Sequence, residues 1–97
     1  MNETQIAALR LLSESWRFSE PDDTWPRLYT QKGLADAIGV QRPAVTKALK
    51  ELRIFGLVDK LPGKRRVNGE KRAVTGYTIT RYGADFLASV VSGTRTG

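Results

Sequence analysis

The stretch that most limits what this chain can become runs from residue 30 to 58, TQKGLADAIGVQRPAVTKALKELRIFGLV. Leu34, Ala35 and Ile38 recur at helical spacing over residues 31–38, with Thr30 placed as a side-chain cap. Gly39 follows as the turn, where glycine adopts positive φ without a steric penalty, and Val40 is the apolar residue expected to tuck between the helices. A second helix is expected over residues 42–55, buried along Val45, Ala48, Leu49 and Leu52, with Gly56 just past its end. Pro43 suits its first turn. Gln41 and Arg42, the residues placed to cap it, are poor caps, and a local rule broken at a helix tip often marks a functional position.

The flanking segments frame this pair. Asn2 and Gln5 form a capping-box arrangement, and Ile6, Leu9, Leu12 and Trp16 continue an apolar stripe over residues 3–17. A loop with two prolines and three acids follows over residues 17–28, ending in a short strand around 27–29. Its Trp25 is expected to plug the core edge, and Glu20, Asp22 and Asp23 to point away from any polyanion. After Gly56, a hairpin over 57–80 turns at Asn68-Gly69, the strongest short hairpin signal. Folding about that pair sets Val67 opposite Glu70 and Val58 opposite Ile79, which offers both valines to a core face, while Pro62-Gly63 is a potential break in the first strand. Thr80 caps a last helix over 81–91, and 92–97 reads as a flexible tail.

Composition removes several function classes. The 97 residues hold no cysteine and no histidine, which excludes disulfides and thiolate metal sites and removes the commonest general base. The expectation is a non-enzyme without metal or cofactor. No apolar run approaches the roughly 18 residues of a membrane span, and the N-terminus lacks a basic-then-apolar leader, so a cytoplasmic protein is expected. The net charge of +6 is unevenly placed: four basic and six acidic residues over 1–40, ten and three over 41–72, two and one over 73–97. Positive charge thus gathers in the second helix of the pair and the hairpin, a distribution that attracts nucleic acid or, more plainly, serves as a solvated face.

Two helices joined by a short glycine turn make a helix-turn-helix, and with the hairpin and last helix the chain resembles a winged helix-turn-helix domain. The resemblance is to the MarR-type and small archaeal transcriptional regulators. It is carried by Leu34-Ala35, Ile38-Gly39-Val40, Arg42-Pro43, Val45, Ala48-Leu49, Leu52, Gly56-Leu57-Val58 and YTITRYG from Tyr77 to Gly83. It implies an α+β fold with a three-helix core, a two- to three-stranded antiparallel wing and a C-terminal helix, as one domain over 1–91. Here the recognition helix departs from the usual Ser or Thr cap, with Gln41 in that place.

The resemblance also implies function: a sequence-specific, double-stranded DNA-binding transcription regulator. Gln41, Arg42, Pro43, Thr46, Lys47 and Lys50 would face DNA, with Arg42 suited to guanine and Gln41 to adenine in the major groove. Lys64, Arg65, Arg66, Lys71 and Arg72 in the wing would meet phosphates or the minor groove. A homodimer would use Ile6, Leu9, Phe86, Leu87, Val90 and Val91. The other function class left open is a winged-helix protein-interaction or architectural module, or a non-specific nucleic-acid binder.

Overall fold

The computed structural model describes residues 1–17 and 25–95. Four α-helices and a two-stranded antiparallel hairpin follow in the order α1 (Glu3–Leu11), α2 (Gln31–Ile38), α3 (Arg42–Ile54), β1 (Val58–Val67), β2 (Glu70–Ile79) and α4 (Arg81–Arg95). Single 3-10 turns lie at Ser15–Arg17 and Arg27–Tyr29. The core joins Leu9 and Leu12 of the N-terminal segment to Leu34, Val45, Leu49 and Leu52 of the helix pair and to Leu57, Val58, Tyr77 and Ile79 at the base of the hairpin.

Local chemistry explains most boundaries. The Asn2 side chain accepts from the Gln5 backbone at 2.8 Å while the Gln5 side chain accepts from the Asn2 backbone at 3.0 Å, so the capping box is complete. Thr30 caps α2 through a 3.2 Å bond from Gly33 N–H. At the end of α3, Gly56 takes φ +76. The Leu57 N–H reaches Leu52 at 2.9 Å and the Gly56 N–H reaches Arg53 at 3.0 Å, the two bonds of a Schellman stop. That stop throws the chain straight into β1. Thr80 caps α4 through Gly83 N–H at 2.9 Å and also donates to the Gly56 carbonyl at 2.7 Å, tying the start of α4 to the end of α3.

Several sequence expectations are corrected. α1 ends at Leu11 rather than near residue 17, because Ser13 N–H turns back to Arg10 and Ser15 N–H to Leu12 in tightened i−3 bonds. This frees the buried Ser15 hydroxyl to accept from the Ile79 N–H at 2.7 Å, while the Thr78 hydroxyl donates to the Ser15 carbonyl at 2.9 Å. Trp16 is consequently 59% exposed and does not extend the core stripe. Residues 27–29 form a 3-10 turn and no strand, closed by Tyr29 N–H to Pro26 and Thr30 N–H to Arg27. α4 continues to Arg95 where a tail was expected after 91, since Ser92 and Gly93 lower helix propensity without blocking it as proline would. Glu20, Asp22 and Asp23 lie outside the described residues.

The hairpin has the expected register, Val58 opposite Ile79 and Val67 opposite Glu70, around Asn68 at φ 52 and Gly69 at φ 83. Both central turn residues have positive φ, as a tight right-twisted hairpin requires. Val58 is buried but Val67 is exposed, because ten-residue strands of about 33 Å reach beyond the core. Pro62-Gly63 does not break β1. Instead Trp25, only 1% exposed, lies over the strand: a Cβ on Gly63 would stand 1.7 Å from its indole nitrogen, and one on Gly76 2.5 Å from its ring. The Trp25 backbone N–H donates to the Lys64 carbonyl at 2.9 Å, so this residue is tied to the wing by its main chain as well as by its ring.

Candidate nucleic-acid interface

The tip of α3 is open. Gln41 makes no side-chain cap bond, and Gln41, Arg42, Pro43, Thr46, Lys47 and Lys50 are all exposed. Their spacing follows from the buried set: with Val45, Ala48, Leu49 and Leu52 turned inward, the i, i+4 positions opposite must turn outward. Arg42, Pro43, Thr46, Lys47 and Lys50 line one open depression and so form a continuous surface. The surface offers guanidinium, hydroxyl and ammonium donors and no carboxylate among these residues.

The wing brings its cations together in like-charged pairs. Arg65 stands opposite Arg72 and Arg66 opposite Lys71 across the two strands. Like charges directly opposite in a sheet destabilise it, so this arrangement favours an anion between or over them. Glu70 lies 3.8 Å from Arg72 and offsets little of that charge, since both groups are largely exposed. Lys64, Arg66, Lys71 and Arg72 are exposed, while Arg65 is half-buried with its Nε enclosed and lacking a hydrogen-bond partner among the described residues.

Between the helix pair and the wing lies a cleft of about 450 Å³. Lys32, Arg42, Lys60 and Arg65 line it, along with Arg27, which is paired with Asp36. No carboxylate lines it among the described residues. Lys32 and Lys60 were not anticipated as site residues, because only the folded hairpin brings residue 60 beside the start of α2. Across this cleft runs a side-chain chain: Gln31 Nε2 donates to the Tyr77 hydroxyl at 2.8 Å, Arg42 Nε donates to Gln31 Oε1 at 3.3 Å, and the Thr46 hydroxyl lies 3.4 Å from the same oxygen. Thr46 also donates to the Arg42 carbonyl at 3.0 Å, the shorter of its two contacts. Gln31 carried no signal in the sequence beyond being the first residue of a helix.

The residues expected at a dimer interface divide. Leu9 is fully buried inside the domain and is corrected to a core residue, with no surface to offer. Ile6, Phe86, Leu87 and Val90 are half-buried, and the side chain of Val91 lies outside those described. The exposed apolar side chains are others. Met1 and Phe55, with Tyr82 and Phe86, line a depression where the start of α1, the end of α3 and the start of α4 meet. Phe55 is 56% exposed and Tyr82 63%. No group of three or more potential metal ligands occurs among the described residues, and no helix there is long and apolar enough to cross a membrane.

Solved structures of similar shape agree on the architecture. Lactococcus lactis ZitR superposes with a TM-score of 0.64 at 23% identity, over 99% of this chain and 54% of its own. Staphylococcus aureus MepR, a transcription regulator of the multidrug efflux pump MepA, does so with a TM-score of 0.60 at 15% identity, over 99% and 62%. A Ralstonia eutropha protein described as a candidate DNA-binding protein matches with a TM-score of 0.59 at 16% identity, over 93% and 96%. The chain therefore spans little more than half of the ZitR and MepR chains. No family model matches the sequence, and no curated protein does. The helix pair, the hairpin and these superpositions together establish that the chain has a winged helix-turn-helix fold, the architecture it shares with ZitR and MepR.

Proposed function

We infer that this protein is a cytoplasmic, sequence-specific regulator of transcription that binds double-stranded DNA as a homodimer, with α3 in the major groove and the wing on the adjoining backbone or minor groove. The observation that carries the reading is the pairing of Arg65 with Arg72 and Arg66 with Lys71 in the wing, an arrangement that serves no core and suits a polyanion. The open face of α3 supports it, since an exposed Arg42 can bond guanine O6 and N7 together, and Gln41 adenine N6 and N7. Thr46 can meet a thymine methyl or a phosphate, while Lys47 and Lys50 hold phosphates that fix the helix in register. A second copy would cover the apolar depression of Met1, Phe55, Tyr82 and Phe86, with Ile6 in the adjoining one.

The decisive experiment is selection of bound duplexes from a random pool, alongside the mass of the protein in solution. The expected result is a pseudo-palindromic consensus with half-sites about 34–36 Å apart and a dimer mass. Binding without any consensus would reduce the protein to a non-specific binder. No binding at low salt would make it a protein-interaction module.

A further inference from the structure

We propose that Gln31 and Tyr77 are positioning residues that orient the Arg42 guanidinium for base reading and, through it, couple the root of the wing to the tip of α3. The proposal rests on the reading of α3 as the base-contacting helix. Its footing is the three-residue chain Tyr77–Gln31–Arg42, which links β2, α2 and α3 across the basic cleft.

The chemistry of the three groups fixes their order. Arginine can only donate, so the atom of Gln31 facing Arg42 Nε has to be the carbonyl oxygen. The amide nitrogen then faces Tyr77, whose hydroxyl accepts from it at 2.8 Å. Reversing the amide would set Nε2–H against Nε–H, donor against donor, so the orientation follows from hydrogen-bonding capacity alone. Tyr77 is 3% exposed, its ring held in the core, so its hydroxyl is fixed relative to β2. Gln31 is the first residue of α2, where its backbone is set by the Thr30 cap. The chain thus runs from a rigid end at Tyr77 to an exposed one at Arg42.

The strengths differ in a useful way. The Tyr77–Gln31 bond is short, whereas the Gln31–Arg42 contact at 3.3 Å is at the long end for a hydrogen bond. The second contact orients Arg42 without trapping it. With Nε–H turned toward Gln31, both terminal amino groups of Arg42 make no hydrogen bond among the described residues, which leaves the pair that a guanine edge requires. A side chain held in this manner loses less conformational freedom on binding than a free arginine, and its orientation is sharper. Because Tyr77 sits in β2, a shift of the wing root moves the acceptor that aims Arg42.

The test compares Gln31→Ala, Tyr77→Phe and Arg42→Ala with the unsubstituted protein by two readouts. The first needs no DNA: the 15N–1H signal of the Arg42 Nε–H group. The second is the ratio of affinities for the selected consensus duplex and for the same duplex changed at one base pair. Both Gln31→Ala and Tyr77→Phe are expected to move the Arg42 Nε signal toward that of free arginine, although Tyr77→Phe alters no atom hydrogen-bonded to Arg42. Both are expected to lower discrimination at the base pair that Arg42→Ala relaxes, Gln31→Ala by about tenfold and Tyr77→Phe by less. An Nε signal unmoved by Tyr77→Phe overturns the relay. So does an unchanged discrimination ratio in both variants where Arg42→Ala lowers it, and base reading by α3 then stands. If Arg42→Ala leaves every base preference intact, base reading by Arg42 falls, and the specificity role of the relay falls with it.

Discussion

Ser15 joins the first helix to the last strand through one hydroxyl. Its Oγ donates to the Leu12 carbonyl at 2.6 Å and accepts from the Ile79 N–H at 2.7 Å, entirely out of water. Ser15→Ala leaves a buried backbone donor unmet, which costs about 1–3 kcal/mol, and urea denaturation should show that loss with the slope unchanged. Arg42→Ala should reduce affinity for the cognate duplex by about 1–3 kcal/mol and relax preference at one base pair, measured by titration against substituted sites. The two residues differ in how legible they were. Asn2, Thr30, Gly56 and Thr80 act on neighbours within about a helical turn, so their roles could be read from the chain by spacing. Arg42 is proposed from being a poor cap on an outward face. Ser15 and Ile79 are 64 residues apart and Gln31 and Tyr77 are 46 apart, and no local pattern encodes either meeting.

Among the elements, the wing sets stability against the proposed binding. Arg66 stands opposite Lys71, and Arg66→Gln removes one member of a like-charged pair. In the absence of DNA it should stabilise the protein by about 0.2–1 kcal/mol, read from thermal unfolding at low salt. The same change should weaken DNA binding, so the two effects have opposite signs. A wing that only solubilises the protein would show the first without the second. Arg65→Ala should weaken all duplexes alike and flatten the dependence of affinity on salt by about one counterion. The hairpin was largely readable, because Asn68-Gly69 demands positive φ and thereby fixes which residues face each other. What misled was Pro62-Gly63: glycine there makes room for Trp25, a reason that lies on another segment. The early end of α1 was hidden likewise, since Ser15 turns its hydroxyl to a strand 64 residues away as well as to Leu12.

At the scale of the whole molecule, the described chain measures 49 × 26 × 22 Å, nearly twice as long as it is wide. Positive charge follows α3 and the wing, while apolar side chains stay exposed where α1, α3 and α4 meet. If the second copy sits there, Phe55→Glu puts a charge into the interface. Sedimentation should then report a monomer, and affinity for a two-site duplex should fall toward that for a single half-site. Far-ultraviolet circular dichroism should stay unchanged, because Phe55 lies at the end of α3 and outside the core. The fold class was legible from the order of elements; the surface that a partner would cover was not, because Leu9 and Phe55 are both apolar and only packing decides which is hidden. The seat of Trp25 on Gly63 and Gly76 has a consequence for descent. These three positions form one packing unit: a chain that gains a side chain at 63 or 76 has to give up the indole, and one that loses the indole opens a gap that larger residues can fill. Relatives of this protein are therefore expected to keep or lose Trp25, Gly63 and Gly76 together, which an alignment of their sequences would check, independently of the residues that would read DNA.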